Sequence, residues 1–111
     1  MATFAVQNVV LGGINPTLNP ATSVLGDQCT NDGNVLLYFR NTGAINVTVT
    51  INAVTLCNQG FDHDVQFIVA PTTGEQLVGP FPTSRFNTAD GFITWTYSAS
   101  SGLSVGCFRV A

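Results

Sequence analysis

The sequence predicts an all-β protein built as a single-domain antiparallel β-sandwich, and three observations lead to this prediction. Apolar and polar residues alternate with a period of two in many segments, which is typical of half-buried strands. No window of about a dozen residues keeps an apolar stripe at helical spacing. Turn residues recur about every ten residues, which indicates seven or eight short strands. We therefore expect an immunoglobulin-like or jelly-roll-like sandwich, with a small β-barrel as the alternative.

The N-terminal residues 1–30 are expected to be a partly irregular arm or an edge segment of this domain, which spans residues 1–111. A first strand is predicted over residues 3–11, where a Gly-Gly pair ends the alternation. Two Asn-Pro dipeptides follow, so residues 12–22 are expected to be an extended connection. A short strand is predicted over residues 23–28.

Two strands are predicted in the middle of the chain. Asp32-Gly33 supplies a tight turn, and the nearly continuous apolar run over residues 35–40 then indicates a central strand with both faces covered. Residues 45–54 alternate most clearly, which predicts one core-facing and one polar face. The expected core-facing side chains of this strand are those of Ile45, Val47, Val49, Ile51 and Ala53.

The next part of the chain is expected to contain two strands and a loop. Residues 63–70 alternate, and a Pro-Thr-Thr-Gly turn leads from them into a strand over residues 75–78. Gly79-Pro80 ends that strand, because proline cannot donate a hydrogen bond to a ladder. Residues 83–90 are predicted to be a loop.

The C-terminal residues are predicted to form the last two strands, over residues 92–98 and 103–110, joined by a hairpin turn at residues 100–102. Ile93, Trp95 and Tyr97 share one face of the first of these strands, and such a stripe is most often core. If the stripe faced outward, its rings could stack on sugars, and the protein would be a carbohydrate-binding module.

The charge composition excludes several function classes. There are three arginines, no lysine and six acidic residues, giving a net charge of −3, and only 8% of residues are charged. Three scattered cations cannot form the basic patch that nucleic acid requires. No apolar run approaches the roughly 18 residues of a membrane span, and the first residues lack a signal-peptide pattern. A surface rich in Thr, Asn, Ser and Gly suits a subunit packed against neighbours, although a secreted β domain has a similar composition.

Neither the cysteines nor the single histidine forms a convincing catalytic or metal site. Cys29, Cys57 and Cys107 fall at no metal-ligand spacing, so buried free thiols are expected, with one disulfide and one thiol as the alternative. The triplet Asp62-His63-Asp64 could bind a divalent cation or act as a general base, but a solvated start of a strand explains it without chemistry. We therefore expect no enzyme activity, no bound metal and no cofactor.

Three segments resemble small structural proteins of tailed double-stranded DNA bacteriophages, among them capsid decoration or head cement proteins. They are residues 57–64 (CNQGFDHD), the GPF and RFN elements at residues 79–81 and 85–87, and residues 90–98 (DGFITWTYS), within a similarity that covers about residues 34–110. The resemblance implies a β-sandwich that lies on the outside of the capsid, often as a trimer, and bridges major capsid proteins. It carries over no catalytic residues.

The function expected from this resemblance is therefore decoration of a virion that assembles in the host cytoplasm. The expected partners are the major capsid protein and further copies of this chain, without nucleic acid or membrane. A phage tail or baseplate component and the carbohydrate-binding module remain alternatives. We expect residues 1–22 to contribute to the interface and to be dispensable for folding. The expected apolar anchors are Phe4, Val6, Leu11 and Leu18.

Overall fold

The computed structural model describes residues 2–54 and 64–110, and within these ranges the chain forms two packed β-sheets. The first sheet has the order β1-β9-β4-β7, with β2 also paired to β9, and the second has the order β3-β8-β5-β6. The strands are β1 (Val6–Val9), β2 (Asn19–Pro20), β3 (Asp27–Thr30), β4 (Val35–Asn41), β5 (Val47–Ile51), β6 (Val65–Val69), β7 (Gly74–Val78), β8 (Phe92–Tyr97) and β9 (Leu103–Val110). A four-residue helix, α1 (Thr83–Phe86), lies between β7 and β8.

The strand pairing is that of a jelly roll. Antiparallel pairs join β5 to β6, β4 to β7, β3 to β8 and β2 to β9, so the chain is one long ribbon folded back on itself. Successive pairs of this ribbon fall in opposite sheets, which rolls it into a sandwich. The all-β sandwich prediction is confirmed, in its jelly-roll form. The barrel alternative is wrong, because each sheet ends in edge strands instead of closing on itself.

The hydrophobic core lies between the two sheets and follows the predicted alternation. Trp95 and Phe39 come from opposite sheets and meet edge to face, with ring centroids 6.1 Å apart. Each such side chain, once fully buried, contributes about 1.5–3 kcal/mol of transfer free energy. The largest fully buried apolar side chains are those of Trp95, Phe39, Leu37, Ile51, Ile93 and Leu103.

Strand β4 is central, as predicted, but only one of its faces is covered. Leu37 and Phe39 are buried, whereas Leu36 and Tyr38 on the other face are half-buried and Arg40 is exposed. The sandwich has two layers, so the outer face of each sheet has no further layer above it. The face predicted for β5 is confirmed at Val47, Val49, Ile51 and Ala53, whereas Ile45 precedes the strand and is exposed.

Three local expectations are wrong. Residues 83–90 were expected to be a loop but contain α1, which places Phe86 in the core 5.3 Å from the ring of Phe81. The turn at residues 100–102 is no hairpin, because β8 and β9 belong to different sheets. The strand expected over residues 23–28 is shifted towards the C-terminus. A turn closed by Gly26 N–H on the carbonyl of Ser23 precedes β3.

The N-terminal residues form one edge of the sandwich. Phe4 belongs to the core, with its ring centroid 6.3 Å from that of Trp95, and its N–H donates to the carbonyl of Gln28 over 2.8 Å. Strand β1 runs parallel to β9 at the edge of the first sheet. Removing residues 1–22 would delete this strand, β2 and a core aromatic ring. These contributions argue against the expectation that residues 1–22 are dispensable for folding.

Candidate interaction surface

An open groove of about 710 Å³ crosses the outer face of the first sheet. Seven of its nine lining residues stand at the outward positions of four strands, and the other two lie between β1 and β2. Eight of the nine carry no charge. We call it the apolar groove. It is lined by Val9, Ile14, Pro16, Leu36, Tyr38, Glu75, Leu77, Phe108 and Val110.

Cross-strand pairs form the floor of the apolar groove. Leu36 on β4 lies opposite Phe108 on β9, and Tyr38 on β4 lies opposite Leu77 on β7. Gly106 shapes this floor, since a Cβ atom there would lie 2.7 Å from the Phe108 ring and 2.8 Å from Leu18. The missing side chain therefore lets the ring lie against β9, where it is nearly buried.

Charge enters the apolar groove only at one end. Glu75 hydrogen-bonds the hydroxyl of Tyr38, and Arg40 stands opposite Glu75 in the register of β4 and β7. Loss of solvent around the phenol raises the pKa of Tyr38, and the hydrogen bond with Glu75 raises it further. The hydroxyl is therefore a neutral hydrogen-bond donor beside an otherwise apolar floor.

A protruding segment, residues 9–16, forms one wall of the groove, and we call it the apolar loop. Its tip is a tight turn in which Gly13 N–H donates to the carbonyl of Val10 over 2.9 Å. Leu11 sits at this tip and is fully exposed, and a Cβ atom at Gly12 would meet nothing within 4 Å. The tip of the loop therefore stands clear of the rest of its own chain.

The base of the apolar loop is closed by one side chain. The Gln7 amide donates from Nε2 to the carbonyl of Thr17 and accepts at Oε1 from the N–H of Thr17, both over 2.8 Å. These two hydrogen bonds have the donor–acceptor pattern of paired strands, with the Gln7 amide in place of a second backbone. They join the two ends of the loop. An apolar segment that carries a fully exposed leucine is thus held to the edge of the sheet at both ends.

The four predicted interface residues are separated by the fold. Phe4 lies in the core and is not an accessible anchor, Val6 packs partly buried against the core, and Leu18 is half-buried beside Gly106. Leu11 alone of the four is fully exposed. Sequence reasoning missed the groove residues of β4, β7 and β9. Within the run of residues 35–40, Leu36 and Tyr38 alternate with the core-facing residues and are themselves largely apolar. This pattern is the signal that could have indicated an apolar outer face.

The other candidate chemistry yields no site within the described ranges. Cys57, Asp62 and His63 lie outside the described residues, and Asp64 accepts a hydrogen bond from the N–H of Ala53 over 2.7 Å. Residues 2–54 and 64–110 contain no group of three or more His, Cys, Asp or Glu side chains that could hold a metal ion. In the same ranges, no helix has the length and apolar character needed to cross a membrane.

The two described cysteines are buried free thiols, as expected. Cys29 lies on β3 and Cys107 on β9, so they come from opposite sheets. A hydrogen bond with Cys29 and burial both raise the pKa of Cys107. The thiolate that nucleophilic chemistry requires is therefore strongly disfavoured there.

A buried polar network fills the core near the N-terminus. Trp95 Nε1–H donates to the hydroxyl of Tyr97 over 2.7 Å, and that hydroxyl donates to Asp27 Oδ2 over 2.6 Å. Asp27 also accepts hydrogen bonds from the N–H groups of Ala2 and Thr22 and from the Thr22 hydroxyl. Its Trp95, Tyr97 and Asp27 side chains are buried, whereas Thr22 at its outer end is exposed. The network joins N-terminal residues to the second sheet. Trp95 and Tyr97 are core residues, so their rings are not available to stack on sugars.

Comparisons of the chain with protein-family models, curated proteins and solved structures found no match. The resemblance to phage decoration proteins therefore stays an expectation from the three sequence segments. The apolar groove and the apolar loop are the features of the described surface from which a function can be argued.

Proposed function

We propose that this protein is a non-enzymatic structural protein of a virion, which decorates and stabilises the outer surface of a phage capsid by bridging major capsid proteins. The observation that carries this proposal is the apolar groove with its protruding apolar loop. Contiguous exposed apolar surface on a soluble protein marks a site of protein–protein contact. The proposal adds to this observation the sequence resemblance described above.

The fold is compatible with this role. Jelly rolls are common in viral capsid proteins and also in lectins, so architecture alone does not choose between them. The carbohydrate-binding alternative loses its best candidates, because the rings of Trp95 and Tyr97 are buried. A tail or baseplate component could use the same surface, and its position in the particle would distinguish it.

The charged side chains also favour contacts with protein. Asp32 pairs with Arg109, Arg40 faces Glu75, and the guanidinium of Arg85 lies 4.9 Å from the ring centroid of Phe86. These arginines are spread over the sandwich, and Arg85 and Arg109 contact groups of their own chain. We propose no nucleic-acid, membrane or cofactor partner. The proposed partners are the major capsid protein and further copies of this chain, with a trimer favoured.

The test is binding to phage heads from which this protein has been stripped. We expect the purified protein to co-sediment with the heads at a saturating, symmetry-related number of copies and to raise their resistance to heat or chelator. Many modest contacts repeated by symmetry would give such saturation. Heads that neither bind the protein nor gain resistance would contradict the proposal. Gold labelling of whole particles then distinguishes a head from a tail location.

A further inference from the structure

We infer that the apolar loop of one copy docks into the apolar groove of a second copy of this chain, with Leu11 as the side chain that enters it. The inference deepens the proposed function and rests on it, because an oligomeric decoration protein needs a contact between its own copies. Two features of one surface define the contact. They are the apolar groove and the Leu11 side chain at the tip of the apolar loop, which we call the knob.

The loop that carries the knob is fixed in position by hydrogen bonds within its own chain. Leu11 occupies the tip of the turn between Val10 and Gly13 and is fully exposed to solvent. The double hydrogen bond between Gln7 and Thr17 closes the loop behind it. Less conformational entropy is lost on docking when a loop is held in place beforehand, and this favours association.

The groove offers a matching apolar receptor. Leu77 is 65% exposed and Val110 46% exposed on the open side of its floor, although both are surrounded by apolar neighbours. Covering them with another apolar side chain removes their apolar surface from water, which favours association. The outer faces of the sandwich are broad, since the molecule measures 39 × 35 × 19 Å. Such a face can accommodate the roughly 800 Å² per partner of a standard interface.

Charge argues for a second copy as the occupant. Residues 1–26 contain no ionisable side chain, so the apolar loop brings no charge to the contact. Two copies each carry a net charge of −3, so a contact through an uncharged surface avoids placing their like charges against each other. The charges at the end of the groove, Arg40 and Glu75, have opposite signs and can pair between copies as well as within one.

The positions of the two features allow a closed assembly. The knob projects from the wall of the groove itself, formed in part by Val9 and Ile14. A two-fold axis beside that wall would place each Leu11 over the groove of the other copy. A head-to-tail arrangement of the same contact would give a ring, such as the trimer proposed above, where the rotation between successive copies closes.

The test measures the mass of the isolated protein by size-exclusion chromatography with light scattering, over a range of concentrations. We expect a species with two or three times the 11.7 kDa mass of the chain. The variants Leu11→Asp and Leu77→Lys disrupt the knob and the groove respectively, and each should raise the dissociation constant by about ten-fold or more. Leu25→Asp is the matched control, because Leu25 is 72% exposed away from both features and should leave association unchanged.

A mixture of the two variants tests which surfaces meet. Leu11→Asp copies keep an intact groove and Leu77→Lys copies keep an intact knob, so the mixture should form a heterodimer through one complete contact. In a two-fold arrangement the two substituted positions meet at the second contact with opposite charges, which does not oppose association. Circular dichroism spectra of all three variants should match that of the wild type, because each replaced side chain is exposed. Their melting temperatures should match it when measured at a concentration where the wild type is monomeric, since association itself stabilises the fold. Loss of association with a fold preserved in this way supports the inference.

Three results would overturn the inference. They are a wild-type monomer at every concentration, an undiminished oligomer in the Leu11→Asp variant, and a mixture that fails to associate. A monomer that binds phage heads through Leu11 would assign the knob to the capsid protein instead, and the proposed function would survive. An oligomer that ignores phage heads would leave the contact standing and contradict the proposed function.

Discussion

Tyr97 donates a hydrogen bond from its hydroxyl to Oδ2 of Asp27 over 2.6 Å, between two side chains that solvent hardly reaches. Tyr97 lies on β8 and Asp27 on the neighbouring strand β3, and the carboxylate also accepts hydrogen bonds from Ala2 and Thr22. One buried carboxylate therefore connects the N-terminal edge of the sandwich to the centre of the second sheet. Removing one partner of such a buried hydrogen bond lowers the stability of the fold most, because the remaining donor or acceptor is left buried without a partner.

Replacing Asp27 by Asn should lower the free energy of unfolding by about 2–4 kcal/mol, because an amide presents a donor where the fold requires an acceptor. Asp27 accepts from two N–H groups and two hydroxyls, and a single amide oxygen cannot serve all of them. Urea unfolding followed by tryptophan fluorescence measures the change. The control is Asp90→Asn on an exposed turn, which should change stability by less than about 0.5 kcal/mol.

Stability should fall in alkaline solution. Burial raises the pKa of Tyr97 and the hydrogen bond to Asp27 raises it further, and the pKa of Cys107 is also raised. In the unfolded chain the two groups titrate near their ordinary values of 10.0 and 9.0. Their contribution is therefore fully present below about pH 9 and is lost as the pH rises, at about 1.4 kcal/mol per pH unit for each group.

Urea unfolding at a series of pH values from 8 to 11 measures this loss. The Tyr97→Phe variant provides the comparison, because it removes one titrating group from the unfolded state. Its stability should fall less steeply above about pH 10 than that of the wild type, by about 1.4 kcal/mol per pH unit. Equal slopes for the two proteins would show that Tyr97 does not titrate on unfolding.

Two N-terminal residues that the sequence grouped together should respond differently to truncation. Phe4→Ala removes a core ring packed against Trp95 and should cost about 3 kcal/mol of stability. Leu11→Ala changes a fully exposed side chain and should cost less than about 0.5 kcal/mol. Thermal unfolding at a concentration where the protein is monomeric separates the two effects. Similar losses in both variants would mean that Leu11 is packed within its own chain.

Two glycines provide a sharp test of backbone packing. Gly26 has a φ of +95°, and a Cβ atom there would lie 1.7 Å from the carbonyl oxygen of Trp95. Gly26→Ala should therefore cost about 3 kcal/mol or more, from left-handed strain and displacement of β8. Gly12→Ala adds a methyl group in open space and should change the melting temperature little. An equally small effect at both positions would contradict the close approach of Gly26 to β8.

Alternation with a period of two predicted most of the strands from the sequence alone, and it predicted which side chains of the clearest strands face the core. The core-facing residues of β5 and β8 were predicted correctly, because a side chain in a strand points to one face or the other and its apolarity indicates which is covered. These properties depend on residue type and near neighbours, which the sequence contains in full.

Tertiary structure alone decided which strands share a sheet and what each outer face carries. A turn such as that at residues 100–102 has the same composition whether it joins paired strands or crosses between sheets. The apolar groove combines side chains from β1, β4, β7, β9 and the apolar loop, which are distant in sequence. Phe4 and Leu11 are similarly apolar, yet one fills the core and the other faces solvent. Long-range packing separates them, and no local pattern encodes that difference.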